Sequence, residues 1–338
     1  MEPRDALEWQ LQRIWEDVLD RRPISITDNF FDVGGDSLSA MTLLARIAHE
    51  TGLTLPPAGI MQAPTIEQLA NVLRGGLAQT DWNPVVPLSP TGTAPPLFLV
   101  HPLGGSVLCY MRLVQRLQKT RPIYGLQSRG IDGRDEPSER IEQMAGEYVQ
   151  AMRRVRPRGP YLLAGWSLGG IIAYEMAVQL QEQGDDVSLL AMFDAGHLYA
   201  FAVMLTFFKQ DSQDMWSRLA APEDEQIAFF REKTARAQLI PPQADQQTAR
   251  NIYRVVVANM RALYQYHPRP YRGKVVLFRA REKYIESRHD PAEEWKRLAT
   301  EVEVIPTGGD HLSLVHEPFV DELAGHLQRV LDRLPTES

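Results

Sequence analysis

Positions 162–170 of the chain are Leu162-Leu163-Ala164-Gly165-Trp166-Ser167-Leu168-Gly169-Gly170, an apolar run that ends in Gly-x-Ser-x-Gly. The pattern predicts a buried strand, a tight turn at Ser167 and then a helix. A serine on such a turn has its Oγ lifted above the sheet, and the turn requires small residues two positions away on each side. The N-terminus of the following helix favours negative charge that develops there. We therefore predict that Ser167 is a nucleophile.

A serine hydroxyl is a weak nucleophile unless a histidine takes its proton and an acid orients that histidine. In folds with this strand–turn–helix element, the acid follows the serine along the chain and the histidine comes last. Asp194 directly follows the next apolar run, Leu189–Phe193, so it belongs to the carboxyl edge of the predicted sheet, where open α/β sheets place their chemistry. Asp185 and Asp186 precede that run and belong to the opposite edge. Asp194 is therefore the predicted acid.

The predicted base is His311, which lies in Gly308-Gly309-Asp310-His311 after the last apolar run, Val302–Ile305. That position is again at the carboxyl edge of the sheet. His316 follows close behind, and we interpret it as structural. Four further histidines lie in lid, loop or terminal-helix contexts and are set aside: His197, His267, His289 and His326.

The third requirement is a set of hydrogen-bond donors for the negatively charged oxygen of a tetrahedral intermediate. The first parallel strand is followed by His101-Pro102-Leu103-Gly104-Gly105-Ser106, a glycine-rich turn at the same edge. We predict that the backbone N–H groups of Leu103 and Leu168 form the oxyanion hole. His101 precedes the proline of the turn, and we interpret it as a residue that shapes the turn rather than as a base.

Short apolar runs of β type alternate with helical patterns over the larger, C-terminal part of the chain. This alternation predicts a mostly parallel sheet with helices on both faces. The predicted strands are Leu97–Val100, Ile123–Leu126, Tyr161–Ala164, Leu189–Phe193, Val275–Phe278 and Val302–Ile305. Between about residues 196 and 268 only helical patterns occur, and we predict a helical lid there over the carboxyl edge. We assign no binding role to its apolar side chains, which include Phe201, Met204, Leu205, Phe207, Phe208, Met215 and Trp216.

The N-terminal part of the chain has a different pattern. Apolar residues recur on one helical face between Asp5 and Leu19, and two more helical patterns lie at 38–47 and 66–73. Three or four short helices of this kind make a small all-α bundle. Prolines are frequent between Leu77 and Pro96, which predicts a linker with a short extended strand at Val85–Leu88. The predicted domains are a helical bundle at 1–76, a proline-bearing linker at 77–96 and a catalytic domain at 97–338.

Composition narrows the possible partners and compartment. The chain of 338 residues has a net charge of −7 and a pI near 5.7, which argues against nucleic acid or an anionic membrane as the main partner. The single cysteine, Cys109, excludes an internal disulfide and fits a reducing compartment. No apolar run reaches the roughly 18 residues that span a bilayer, and no secretory signal is visible. We expect a cytoplasmic protein without a metal site.

Together, the four motifs resemble the type I thioesterase domains that end nonribosomal peptide synthetases. The resemblance covers about residues 95–335, and its most discriminating features are Trp166 in the serine turn and Asp194 after the very next strand. It implies an α/β-hydrolase fold in which Ser167, Asp194 and His311 form the catalytic triad. It also implies that the product arrives as a thioester, is transferred to Ser167 as an acyl ester and leaves by attack of water or an internal nucleophile.

The helical bundle contains a second motif, Phe30-Phe31-Asp32-Val33-Gly34-Gly35-Asp36-Ser37-Leu38. The two glycines leave room around Ser37, which stands at the start of a helix, where a phosphodiester is favoured. Residue types alone also allow Asp36 and Ser37 merely to cap that helix. The segment resembles the core motif of peptidyl or acyl carrier proteins, over about residues 5–75. This resemblance implies a four-helix carrier with a 4′-phosphopantetheine arm on Ser37.

A carrier followed at once by a thioesterase predicts the last two domains of a larger synthetase. The partners would be upstream condensation and adenylation domains, a phosphopantetheinyl transferase and the tethered acyl or peptidyl substrate. Three alternatives stay open: a stand-alone esterase, a carrier and docking module with an inactive hydrolase domain, and a polyketide rather than a peptide assembly line. The sequence leaves open the acyl chain and the choice between hydrolysis and cyclisation.

Overall fold

A computed structural model of the chain describes residues 1–35, 37–52, 59–75, 82–198, 200, 222–235, 246–283 and 290–334. The lid side chains predicted between Phe201 and Trp216, Asp36, His289 and the side chain of Ser37 lie outside this description. The described N-terminal residues form four helices: α1 (Ala6–Leu19), α2 (Ser37–Thr51), α3 (Gly59–Gln62) and α4 (Ile66–Arg74). The prediction of a small all-α bundle is confirmed.

The first helix shows how the bundle is built from sequence. The Asp5 carboxylate caps α1 by accepting the Glu8 backbone N–H, which satisfies a donor that has no partner inside the helix. Leu11 and Trp15 are fully buried on one face of α1. The ring of Phe30 meets the Trp15 indole edge-to-face at a centroid distance of 5.0 Å. The apolar periodicity of the helix therefore faces the core of the bundle.

The C-terminal part of the chain is organised around a seven-stranded sheet with the order β1-β3-β2-β4-β5-β6-β7. The strands are β1 (Val85–Ser89), β2 (Leu97–Val100), β3 (Ile123–Leu126), β4 (Tyr161–Trp166), β5 (Val187–Phe193), β6 (Tyr271–Ala280) and β7 (Ala299–Thr307). β1 pairs with β3 antiparallel, and every other pairing is parallel. The mostly parallel α/β-hydrolase sheet is thus confirmed.

Helices connect the strands and cover the sheet. In chain order they are α5 (Met111–Arg116), preceded by a 3₁₀ turn at Leu108–Tyr110, α6 (Ile141–Val155), α7 (Leu168–Glu182), α8 (Glu223–Ala235), α9 (Gln246–Gln265), α10 (Pro291–Trp295) and α11 (Val320–Asp332). Helix α7 follows β4 directly and is buried along most of its length, because it packs against both β4 and β5. This burial fixes the turn between β4 and α7.

Two features refine the domain predictions. Within the predicted linker, residues 85–89 form β1 and pair with β3, so this part of the segment belongs to the sheet. Helices α8 and α9 lie within the predicted lid and share a small apolar core that includes Phe230 and Val256. Residues 199, 201–221 and 236–245 of the predicted lid lie outside the description, and the domain boundaries themselves remain predictions. Among the described helices, none combines the length and the apolarity that a membrane span requires.

Candidate active site

Ser167 occupies the turn between β4 and α7 in a backbone conformation that few residues adopt. Its φ and ψ angles are 56° and −123°, which is a strained combination for a residue with a side chain. The turn is also crowded, since a Cβ on Gly165 would lie 2.2 Å from the backbone of Gly169, and one on Gly169 would lie 2.2 Å from the Val100 carbonyl. The two glycines of Gly-x-Ser-x-Gly are thus required by close backbone approach. Ser167 itself is half-buried.

The structure brings three of the predicted site residues into one hydrogen-bonded chain. The Oγ of Ser167 lies 3.0 Å from Nε2 of His311, and Nδ1 of His311 lies 3.0 Å from Oδ2 of Asp194. Because an ionised carboxylate only accepts, Nδ1 carries the proton, and Nε2 is left to accept from the serine hydroxyl. His311 is almost fully buried and Asp194 completely so. The sequence-predicted nucleophile, base and acid therefore meet at one point of the carboxyl edge.

Asp194 is held by more than the histidine. Its backbone has a positive φ of 43°, and its N–H donates to the Phe278 carbonyl at 2.8 Å, which fixes it at the end of β5. Its Oδ1 accepts from the Ala280 backbone N–H at 3.0 Å and from Nη1 of Arg279 at 2.9 Å. Burial by itself would raise the pKa of Asp194, but the His311 hydrogen bond and charge, the Arg279 charge and the Ala280 N–H together hold that pKa below its ordinary value.

The glycine-rich turn after β2 contains the predicted oxyanion donor Leu103. The Gly105 N–H closes the turn by donating to the Pro102 carbonyl at 2.9 Å. The Leu103 carbonyl accepts from Nδ2 of Asn259 in α9 at 2.8 Å, so this helix of the predicted lid is bonded directly to the turn. Leu168, the other predicted donor, is the first residue of α7, where backbone N–H groups have no partner inside the helix. Since Val100 of β2 pairs with Gly165 of β4, both donors lie at the same edge as the serine.

His101 lies beneath the same turn and is fully buried. Its Nδ1 lies 2.8 Å from the Pro102 carbonyl, and its Nε2 lies 2.7 Å from the Tyr148 hydroxyl. Because a carbonyl only accepts, Nδ1 carries the proton and the phenol donates to Nε2. Burial lowers the pKa of His101 to about 4, so the ring is neutral at physiological pH. This environment agrees with its interpretation as a residue that shapes the turn.

Other candidates are engaged elsewhere. Asp310 next to His311 accepts from the backbone N–H groups of Leu312 and Ser313 through Oδ1, so its carboxylate caps its own loop. The ring of His316 meets the Trp166 ring edge-to-face at 6.1 Å, which agrees with a structural role.

Ser37 is the first residue of α2, a helix of 15 residues. The preceding Gly35 packs against Phe30 so closely that a Cβ would lie 2.3 Å from that ring. The glycine therefore brings the chain tightly over the core of the bundle just before α2 begins. The start of a helix favours a phosphodiester, so this position fits a phosphopantetheine attachment.

Sequence reasoning missed the three residues that hold the site from outside its motifs. Arg279 contacts Asp194, Asn259 contacts Leu103, and the Tyr110 hydroxyl accepts the Trp166 backbone N–H at 2.8 Å and donates to the Val100 carbonyl at 2.6 Å. For Arg279 a signal existed, because it is a charged residue at the carboxyl end of a predicted strand. The other two lie in helical segments whose pattern carries no sign of a site.

Comparisons with known proteins identify the family of each part of the chain. The model of the thioesterase domain matches residues 95–331, and the model of the phosphopantetheine attachment site matches residues 9–73. A dimodular nonribosomal peptide synthase from Bacillus subtilis (strain 168) is 36% identical over 290 residues, which are 82% of this chain and 12% of that protein. Malpinin synthetase from Mortierella alpina is 38% identical over 195 residues, 57% of this chain and 2% of that protein. The chain thus spans only a small part of these relatives.

Solved structures give the same result. The four-domain nonribosomal peptide synthetase holo-AB3403, bound to AMP and glycine, superposes with a TM-score of 0.64 at 28% identity, over 99% of this chain and 27% of that one. The NocB thioesterase domain in covalent complex with a fluorophosphonate nocardicin G analog superposes with a TM-score of 0.58 at 28% identity, over 73% of this chain and 99% of that one.

Proposed function

The chain belongs to the thioesterase domain family and carries a phosphopantetheine attachment domain before it, and on that premise we propose that it releases a carrier-bound acyl or peptidyl chain through Ser167. The observation that carries the proposal is the hydrogen-bonded series Ser167 Oγ, His311 and Asp194, with 3.0 Å at each contact. This is the arrangement that makes a serine nucleophilic towards an acyl carbon.

The first half-reaction loads the serine. His311 Nε2 takes the proton of Ser167 as Oγ attacks the thioester carbonyl, and the buried Asp194 carboxylate stabilises the imidazolium that forms. The N–H groups of Leu103 and Leu168 receive the oxyanion of the tetrahedral intermediate. When the carbon–sulfur bond breaks, the imidazolium returns its proton to the leaving thiolate, and an acyl ester remains on the serine.

The second half-reaction frees the chain. His311 takes a proton from water or from an amine or hydroxyl of the acyl chain itself, and the resulting nucleophile attacks the ester carbonyl. A second tetrahedral intermediate uses the same donors, and its collapse returns the proton to Ser167 Oγ. Water gives a free acid, whereas an internal nucleophile gives a ring.

Delivery is the role proposed for Ser37. When attached there, a 4′-phosphopantetheine arm supplies the thiol that carries the acyl group as a thioester. Ser37 contributes the attachment point, and the N-terminus of α2 favours the negative charge of the phosphodiester. Upstream condensation and adenylation domains of a nonribosomal peptide synthetase are the proposed source of the chain, a phosphopantetheinyl transferase loads Ser37, and the cytoplasm is the proposed location.

The proposal is tested in two stages by intact-protein mass. Treatment with a phosphopantetheinyl transferase and coenzyme A should add one arm to the wild type and none to Ser37→Ala. With an acyl-loaded arm, wild-type protein should lose the acyl group, whereas Ser167→Ala should retain it on the arm. Loading of Ser37→Ala would contradict the carrier assignment, and a stand-alone esterase would gain no arm at all. Stable acyl-loaded wild type would favour the carrier and docking module with an inactive hydrolase domain.

A polyketide origin of the chain is tested separately. Synthetic pantetheine thioesters of peptidyl and of polyketide-like acyl groups should be compared at equal concentration. We expect the larger kcat/KM with the peptidyl thioesters, and preference for the polyketide-like series would favour the polyketide alternative.

A further inference from the structure

The two oxygens of the Asp194 carboxylate have different partners. Oδ2 faces His311, while Oδ1 accepts both the Ala280 N–H and the Arg279 guanidinium, at 3.0 and 2.9 Å. Asp194 is fully buried, whereas the Arg279 side chain keeps 19% of its surface exposed. The guanidinium therefore closes the outer side of the carboxylate, opposite the histidine. The Ala280 N–H already holds Oδ1 of Asp194 by a hydrogen bond. Arg279 therefore adds a positive charge to a carboxylate whose position is already restrained.

We propose that Arg279 is a positioning residue of the catalytic site, whose guanidinium orients the Asp194 carboxylate and sets the pH at which the Asp194–His311 pair takes up a proton. This inference rests on the proposed function. Arg279 lies near the end of β6, and its guanidinium contacts the acid of the proposed triad. Its effect is therefore on the charge balance and geometry of the pair.

The physical argument is electrostatic. An imidazolium beside a buried carboxylate is stabilised by that negative charge, and a cation on the far side of the carboxylate weakens the effect. With Arg279 present the pair gives up its proton at lower pH, so more enzyme has a neutral histidine ready to act as base. Without it the carboxylate would retain its full negative potential, and the pair would hold its proton to higher pH. Because the two groups are coupled, the titration belongs to the pair.

Other charged groups near this network come from separate elements. Asp290, the residue that caps α10, lies 3.6 Å from Nε of Arg279 and is about half exposed. Glu294 in α10 accepts the backbone N–H groups of His197 and Leu198, just beyond Asp194 in the chain, and burial raises its pKa.

On the side of the histidine, the rings of His311 and His316 both lie 6.1 Å from the Trp166 ring, and burial lowers the pKa of His316. Arg279 is a cation in contact with the acid, and Asp290 is an anion in contact with Arg279. These two positions thus allow opposite changes of charge without altering the acid or the base.

The decisive experiment is the pH dependence of kcat/KM with a soluble acyl-pantetheine thioester. The acid limb is the part of this profile in which kcat/KM falls as pH decreases. Arg279→Gln should move the acid limb to higher pH by about 0.5–1 pH unit. It should also lower the maximal kcat/KM up to about tenfold, with little change in KM. Arg279→Lys, which retains the charge, should keep the limb near its wild-type position. Arg281→Gln is the matched control, because Arg281 lies just after β6 but pairs with Glu322. We expect the control to match the wild type.

Asp290→Asn provides an independent test that does not depend on the folding of Arg279→Gln. Removing this anion strengthens the guanidinium's influence on Asp194, so the limb should move to lower pH. Asparagine can still cap α10. An acid limb that stays in place in Arg279→Gln, or that moves upward in Asp290→Asn, would overturn the proposal. A purely structural arginine would lower activity in Arg279→Gln and Arg279→Lys alike without moving the limb.

The rate at which a fluorophosphonate labels Ser167 separates this inference from the proposed function. That rate depends on the same serine, histidine and acid but requires no thioester turnover. If the wild type labels readily yet does not cleave thioesters, the proposed function fails while the Arg279 inference remains testable through the pH profile of labelling. If thioesters are cleaved and neither profile responds to Arg279→Gln, the inference alone fails.

Discussion

The indole Nε1–H of Trp166 donates to the backbone carbonyl of His311 at 2.8 Å. Trp166 directly precedes the serine, so one side chain connects the turn that presents Ser167 to the loop that presents His311. The indole is buried, and the carbonyl it satisfies belongs to the residue proposed as the base. This hydrogen bond therefore connects the two segments that carry Ser167 and His311.

Trp166→Phe tests this connection because it retains an aromatic ring but removes the N–H donor. Loss of a hydrogen bond at a buried site costs about 1–3 kcal/mol, and a less firmly held histidine loop should lower kcat about tenfold with little change in KM. Trp15→Phe is the control, since the Trp15 indole is also buried but its N–H has no acceptor among the described residues. Thioester hydrolysis by the control should match the wild type. Equal kcat losses in both variants would show that ring size, not the hydrogen bond, matters.

The choice of Asp194 over Asp310 as the acid gives a second prediction. Asp194→Asn should lower kcat by about three to four orders of magnitude, because an amide can stabilise the wrong tautomer of His311 and cannot stabilise its charged form. Asp310→Asn should lower it no more than about tenfold, since that carboxylate caps its own loop. Single-turnover deacylation rates at pH 8 measure both. The reverse order of effects would make Asp310 the acid.

The sequence predicts the structural features that are determined by residues within one short segment. Gly165 and Gly169 predict the tight turn at Ser167, and the structure shows the same glycines in close backbone contact. Asp194 follows from its position after an apolar strand, because parallel strands end at a common edge. The alternation of strands and helices likewise predicts the parallel part of the sheet.

Contacts between distant segments are harder to predict. Asn259 and Leu103 are 156 residues apart in the chain, and a polar residue in a helix is ordinarily solvated rather than bonded to an active-site turn. The sequence predicts a short extended strand at Val85–Leu88, but its antiparallel pairing with β3 depends on where the following strands lie. Such contacts depend on tertiary packing, which a local sequence pattern does not predict.

His101 gives a prediction about stability and pH. Burial lowers the pKa of His101 from 6.5 to about 4. Between pH 4 and pH 6.5, the imidazole is therefore protonated in the unfolded chain but neutral in the folded protein. The contribution of the neutral His101 to stability is therefore fully present above pH 6.5 and is lost as pH falls towards 4, and the loss is about 2 kcal/mol at pH 5.

In His101→Gln, the decrease in unfolding free energy between pH 7.5 and pH 5 should be smaller than in the wild type by about this amount. Urea unfolding followed by the loss of fluorophosphonate labelling at Ser167 measures it for the hydrolase part. A decrease of the same size in both proteins would contradict burial of a neutral imidazole at this position.

The last prediction concerns delivery of the acyl group. Trp82 packs on Tyr148 at a ring-centroid distance of 6.4 Å, and the Arg129 guanidinium lies 4.3 Å from the Trp82 ring, so the chain is held on the hydrolase part from Trp82 onward. Helix α4 ends at Arg74 and is capped by Gly75. The chain between Gly75 and Trp82 can span at most about 25 Å, which keeps the two parts close together.

A tether of this length gives the loaded arm an effective concentration of about a millimolar near Ser167, far above micromolar protein. The rate of acyl transfer in a single turnover should therefore stay constant as protein concentration is raised about a hundredfold from a dilute solution. A mixture of acyl-loaded Ser167→Ala with Ser37→Ala separates carrier and nucleophile on different chains. At dilute concentration it should transfer the acyl group at least about a hundredfold more slowly than the intact protein. A transfer rate in the intact protein that rises in proportion to concentration, or a dilute mixture that matches it, would mean that acyl groups pass between chains.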